Sequence, residues 1–129
     1  ALQYYNLPIT DDLILECDTR SKAIVATPSI LQQGQRPDAI FCVNDDCAAG
    51  VLHVAQILGV KIPEELSICG FSDAPLCRAT LPMLTTVQQH GVEIGKRAMQ
   101  RLLIRLSGDD KIPQTEMIPT DLIVRETTK

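Results

Sequence analysis

Tryptophan is absent from this chain of 129 residues, and Tyr and Phe occur twice each, so a core has to be built from aliphatic side chains. Long apolar runs are absent too. No stretch approaches the roughly 18 residues that cross a bilayer, so no membrane partner is expected. The opening Ala1-Leu2-Gln3-Tyr4-Tyr5 lacks the basic and apolar regions of a signal peptide, and without an initiator Met it looks like a cut into a longer chain. Basic charge is scarce: 12 Lys and Arg against 16 Asp and Glu leave a net charge of -4. A surface that neutralises phosphates needs a basic stripe, so nucleic-acid binding by this chain itself is not expected. There is no Gly-rich phosphate loop, no Ser-His-Asp order and no metal-spaced His cluster. His53 and His90 stand alone. Asp45 and Asp46 are neighbours and would diverge by about 100° on a helix, which rules them out as a facing acid–base pair. No catalytic residue, metal site or cofactor is expected, and an enzyme is not the reading. The five cysteines form no pair with the two-residue spacing of a zinc knuckle or redox motif. Cys42 and Cys69 lie in apolar runs, Cys17 ends one, and Cys47 and Cys77 are scattered. They read as small buried hydrophobes in a reducing cytosol.

What is present is a repeat of strand and helix signals. Leu13-Ile14-Leu15 is a short apolar run, and Ala39 to Val43 and Leu66 to Phe71 are two longer ones. Such runs mark strands covered on both faces. Their starts at 13, 39 and 66 lie 26 and 27 residues apart, a βα period that predicts adjacent parallel strands with helices on both sides. Ser21 to Gln33 carries a helical stripe with Gly34 as its stop. Pro28 inside it implies either a start near Ser29 or an irregular first half. Asn44-Asp45-Asp46 ends one strand and opens a helix that runs to Leu58 and stops at Gly59. Ala48, Leu52 and Ala55 should face the sheet. Ala49, His53 and Ile57 form a second stripe, and no charged residue lies between Cys47 and Val60. A helix apolar on two sides is buried on two sides, by a partner or by another part of the same chain. Leu84 to Val87 reads as a further strand. Residues 91–107 read as an amphipathic helix stopped by Ser107-Gly108-Asp109-Asp110, and Met117-Ile118 and Leu122 to Val124 as edge or crossover segments around Pro119. Polar groups ending parallel strands point into the crevice where ligands bind, and here these are Asn44, Asp45, Ser72 and Asp73.

Five ordered blocks carry a resemblance. Pro37-Asp38-Ala39-Ile40-Phe41-Cys42-x-Asn44-Asp45 is the first and Ala48-Ala49-Gly50 the second. Gly59-x-x-Ile62-Pro63-Glu64-Glu65-Leu66-Ser67-Ile68-x-Gly70-Phe71 is the third, and Pro82-x-Leu84-Thr85-Thr86-Val87-x-Gln89 the fourth. The last is the ending Leu122-Ile123-Val124-Arg125-Glu126-Thr127-Thr128. Together they resemble the effector domain of LacI/GalR (lac-repressor) transcription regulators. The resemblance implies an α/β fold: a three-layer α/β/α parallel sheet, periplasmic-binding-protein-like (type I), mainly its C-terminal lobe. It assigns 1–86 to that lobe, 87–114 to a crossover and a helix of the N-terminal lobe, and 115–129 to a return strand and tail. It further implies a cytoplasmic homodimer that binds a small-molecule effector, a sugar or sugar derivative. Operator DNA would be bound only through a helix-turn-helix domain absent from this chain. The alternative is a periplasmic-type sugar-binding protein without DNA binding.

The expected effector residues are Asn44, Asp73, Ser72, Phe71, Gln89, Asp18 and Thr19. Asn44 offers a donor and an acceptor to hydroxyls, or serves only as a cap. Phe71 either flanks the ligand or fills the core. Asp45 reads as a cap and backbone organiser. The family commonly has Gly-[Phe/Tyr]-Asp-[Asp/Asn] where this chain has Gly70-Phe71-Ser72-Asp73. Either Asp73 turns into the site in place of the missing carboxylate, or the effector is held with one carboxylate fewer. His90-Gly91 is a second departure, since an acidic residue and an aromatic are frequent there. The expected dimer contact is Ala49, His53, Ile57 and Leu81, with small Ala49 and Gly50 letting two helices approach.

Overall fold

A computed structural model describes residues 2–32, 34, 36–108 and 115–129. In chain order the elements are α1 (Arg20–Leu31), β1 (Ala39–Phe41), α2 (Asp45–Ile57), β2 (Ser67–Phe71), β3 (Thr85–Gln88), α3 (Gly91–Leu106) and β4 (Asp121–Ile123). The strands form one sheet in the order β1-β2-β3-β4. β1 and β2 are parallel, with Ile40 beside Ile68. β2 and β3 are parallel, with Gly70 beside Thr86, and β4 returns antiparallel along β3. β4 is the edge strand that Pro119 foreshadowed, whereas Met117-Ile118 stays outside it.

α2 packs on the sheet through Ala48, Leu52 and Ala55, all buried against Ile68, Leu66 and Leu84 in an aliphatic core. α1 lies across α2. Gly50 is the point of closest approach: a Cβ there would meet the Arg20 carbonyl oxygen and the Ala23 Cβ. The expected self-contact at Gly50 is therefore an intrachain helix crossing. α1 also corrects the reading of Pro28, since the helix starts at Arg20 and passes through the proline. Thr19 caps it by accepting from the Lys22 amide. Around the missing proline N–H, the hydroxyls of Thr27 and Ser29 donate to the carbonyls of Ala23 and Ala26 at 2.6 and 2.7 Å.

The segment 13–15 is not a strand. Asp11–Leu13 forms a 3-10 turn, and the Ile14 amide is spent on the Asp11 carbonyl while the Cys17 amide is spent on that of Leu15. Donors used in local turns are not free for a ladder. Leu13, Ile14 and Leu15 consequently remain exposed. Between this arm, α1 and the open edge of β1 lies a cavity of about 830 Å³, mostly apolar in lining, with Leu15, Ile30 and Val43 among its walls.

The C-terminal tail is sewn into the sheet. Thr127 is fully buried: its carbonyl accepts from the Ile68 amide, and its hydroxyl donates to the Ile68 carbonyl and accepts from the Thr85 amide. It occupies the position beside β2 that a longer β3 would fill. α3 by contrast buries none of its residues and leaves Val92, Met99, Leu102 and Leu106 exposed. It ends at Leu106 with Ser107 as its C-cap, and of the expected stop Ser107-Gly108-Asp109-Asp110 the last two residues fall outside the described residues.

Candidate functional site

Parallel strands bring their carboxyl ends to one edge. Asn44 follows β1, Ser72 and Asp73 follow β2, and Gln89 and His90 follow β3. Asp121 opens β4 opposite Gln88. The edge is held in shape from beneath by Asp45. Its buried carboxylate accepts from the Ala74 amide at 2.7 Å and from the Thr86 hydroxyl, and so joins α2 to the loop after β2 and to β3. Gly70 leaves it room, because a Cβ at that position would collide with Asp45 Oδ1. The fully buried Cys77 thiol sits beside the same carboxylate; burial first, and the bond to Asp45 second, push its pKa up to about 11.

Asn44 is a cap and also a tether. Its Oδ1 accepts from the Cys47 amide at 2.8 Å and its Nδ2 donates to the Asp18 carbonyl at 3.0 Å. One amide hydrogen is left for a ligand. The same bond brings Asp18 and Thr19 to the edge, by a side-chain tether and not as the end of a strand. The Asp18 carboxylate is paired with Lys22 at 2.7 Å in an exposed ion pair, and the hydrogen bond from Lys22 lowers its pKa. Such exposed pairs contribute little to stability.

At the end of β2, Ser72 and Asp73 both adopt positive φ, 119° and 54°. These turns aim the two side chains differently. The Ser72 hydroxyl remains exposed and accepts from Gln89 Nε2 at 3.4 Å, so two of the expected site residues meet. Asp73 turns away into the protein, where Arg125 Nη2 reaches it at 2.5 Å and Arg78 Nη2 at 3.0 Å. Its side chain is 5% exposed. The hydrogen bond from Arg125 is the main cause that holds its pKa below the usual carboxylate value, ahead of burial, which opposes it. Phe71 is half-buried and meets Phe41 edge to face, with centroids 6.2 Å apart. Phe41 is 65% exposed, so the pair forms a partly open aromatic wall beside the edge.

Arg125, Arg78 and Asp121 had no place among the residues expected at the site. Asp121 Oδ2 lies 2.8 Å from His90 Nε2 and bridges the two segments that run between β3, α3 and β4. Arg125 belongs to a recognisable terminal block, yet no pattern in one sequence pairs it with a carboxylate 52 positions away.

The expected dimer stripe is divided. Ala49 is already buried within the single chain, which removes it from an exposed surface. His53, Ile57 and Leu81 are exposed, and Gln56 Nε2 joins helix to loop by donating to the Leu81 carbonyl. Among the described residues no His, Cys, Asp and Glu are grouped to hold a metal, and no helix is long and apolar enough to cross a membrane.

A mostly parallel sheet whose strand ends collect amides and hydroxyls, with a helix held off the main body, is the architecture of one lobe of a ligand-binding module. Comparison with known families agrees: residues 6–128 match the periplasmic binding protein-like domain, and the chain belongs to that family, in the form found in LacI-type regulators. It is 34% identical over 133 residues to the HTH-type transcriptional repressor PurR of Vibrio vulnificus, spanning 100% of this chain and 39% of that protein. It is 35% identical over 104 residues to the ribose operon repressor of Haemophilus influenzae, covering 81% of this chain and 31% of the relative. The crystal structure of a LacI-type transcription regulator from Bifidobacterium animalis subsp. lactis superposes with a TM-score of 0.86 at 29% identity, over 99% of this chain and 46% of that one. The chain thus spans less than half the length of each of these relatives.

Arg125→Ala should destabilise the fold by roughly 3 kcal/mol, the cost of leaving a buried carboxylate short of a partner. Because folding depresses the Asp73 pKa, its contribution is complete above the unfolded value near 3.9 and is lost as pH falls through the folded value. Chemical denaturation from pH 7 down to pH 3 is the check. The native protein should lose stability on acidification, and Arg125→Ala should lose less of it.

Proposed function

We propose that this chain is the C-terminal part of the effector-binding domain of a DNA-binding transcriptional regulator. Family membership and the length of the relatives support the reading, and the operator would be contacted by a helix-turn-helix domain elsewhere in the protein. It works as a binding module without catalysis in a cytoplasmic regulator. The observation that carries the effector assignment is the character of the edge. Asn44, Ser72, Gln89 and Thr19 present uncharged donors and acceptors, while Asp73 is spent on Arg125 and Arg78. Of the two alternatives for the missing carboxylate, the second is favoured: the effector is held with one carboxylate fewer. A neutral, hydroxyl-rich molecule such as a sugar or sugar derivative suits such a set, and the Phe71–Phe41 wall gives its apolar face a surface.

Residues 1–86 with the tail 115–129 form one lobe in this reading, and α3 with its flanking crossover, 87–114, belongs to the other. The exposed apolar face of α3 would dock there. Two lobes closing on the effector would bias an existing equilibrium by the difference in its affinity for the two arrangements. A homodimer would use His53, Ile57 and Leu81, with Ala49 omitted because it is buried within the subunit.

Two measurements test this. In calorimetry of the full-length regulator against sugars and nucleosides, Asn44→Ala should weaken the effector that binds by about 1–3 kcal/mol. Fold stability should fall by only about 1 kcal/mol through loss of the cap, and unchanged affinity would reduce Asn44 to a cap and tether. In sedimentation of the full-length regulator, Ile57→Asp should run as a monomer with native circular dichroism. A dimer of undiminished affinity would remove this surface from the contact.

A further inference from the structure

The short segment from Cys17 to Arg20 is stitched to the first turn of α2 at three points. Asn44 Nδ2 donates to the Asp18 carbonyl at 3.0 Å, the Arg20 amide to Asp46 Oδ2 at 3.3 Å, and the Cys47 thiol to the Cys17 carbonyl at 3.5 Å. The third contact brings two cysteines together. Both also line the cavity between the arm and β1. Cys17 is half-buried and Cys47 is buried. Residues 13–17 are held by local turns and not by a ladder, so adopting S–S geometry, with Cα atoms about 5–6 Å apart, breaks no strand pairing.

The remaining thiols are placed less well. Cys69 lies beside Phe41 in register and shares its face of the sheet, opposite the face on which α2 packs. Cys77 is fully buried beside Asp45. Cys42 is buried among the core aliphatics, where burial pushes its pKa up to about 12. Cys42 does line the same cavity and is the rival partner for Cys47.

We propose that Cys17 and Cys47 form a reversible disulfide when the protein meets a peroxide, and that this bond locks the Asp18 segment onto the helix turn that carries Asn44. Cys17, the more accessible thiol, takes the oxidant. Its thiolate attacks one peroxide oxygen, the O–O bond breaks, and Cys17 becomes a sulfenic acid as the first water leaves. The Cys47 sulfur then attacks the Cys17 sulfur. The S–O bond breaks, the departing oxygen takes up the Cys47 proton, and a second water leaves. In sum, two thiols and one hydrogen peroxide give one disulfide and two waters. Burial raises the Cys47 pKa, which disfavours it as the thiol that first meets the peroxide. The link from this bond to effector affinity rests on the proposed effector site. The bond itself does not, and is read separately.

The test treats the full-length regulator with hydrogen peroxide, blocks remaining thiols with N-ethylmaleimide and maps peptides by mass spectrometry without reduction. The expected result is a loss of two hydrogens, a crosslinked pair containing Cys17 and Cys47, and reversal by dithiothreitol. Hydrogen exchange over residues 17–22 should slow in the oxidised form. Cys17→Ser should abolish the crosslink, and Cys42→Ala should keep it. A Cys42–Cys47 crosslink, higher oxides of Cys17 with no crosslink, or exchange that does not slow on oxidation would each overturn the proposal.

Discussion

A carboxylate placed where water cannot reach governs the geometry of this domain. Asp45 opens α2, at the positive end of the helix dipole, and is almost wholly buried. Unpaired, a buried charge would be too costly to keep. It is kept because the Ala74 amide and the Thr86 hydroxyl both donate to it, and because Gly70 makes room for it. Three elements that are far apart in sequence are thereby fixed at one point: the start of α2, the loop after β2 and the middle of β3. That point lies directly under the strand-end edge. Asn44 precedes the anchor by one residue and Ser72 lies two residues before the anchored Ala74. Asp45 touches no ligand in this account, yet it positions the groups that would.

A second carboxylate repeats the logic at the end of β2. Asp73 is drawn inward by Arg125 and Arg78, which ties the end of β2 to the C-terminal tail. The tail is itself locked into the sheet by Thr127. The result is an edge that is rigid below and free of the Asp73 charge above, with Asp18, paired to Lys22, and Asp121, beside His90, as its exposed carboxylates. Ser72 and Gln89 are left to face outward, one bonded to the other.

Much of this is legible in the amino-acid sequence alone. The two longer apolar runs become β1 and β2, parallel and adjacent, but cover on both faces is not found: Ile68 is buried while Phe41 and Val43 stay exposed. Asn44-Asp45-Asp46 caps α2 as helix chemistry requires, and Asp45 proves to be an organiser. The family blocks locate the edge. The rest escapes a local reading for identifiable reasons. Leu13-Ile14-Leu15 has a strand's composition, but Asp11-Asp12 ahead of it favours a tight turn that consumes its donors. Pro28 argues against a helix that tertiary packing on α2 nonetheless sustains. Gly50 and Ala49 look like a close-approach surface for a second copy, and the close approach is real, but it is made by α1. The pairing of Asp73 with Arg125 joins positions 52 apart, and no local pattern reports on such a distance.

The central claim is that Asp45 and the groups that donate to it act as one unit, and a double-mutant cycle on Asp45→Ala and Thr86→Val tests it most directly. Each single change should cost stability, and the pair together should cost less than the sum. The account predicts a coupling energy of about 1 kcal/mol or more, within the range for residues that share a network. Additivity to within about 0.5 kcal/mol, the behaviour of independent sites, would contradict it.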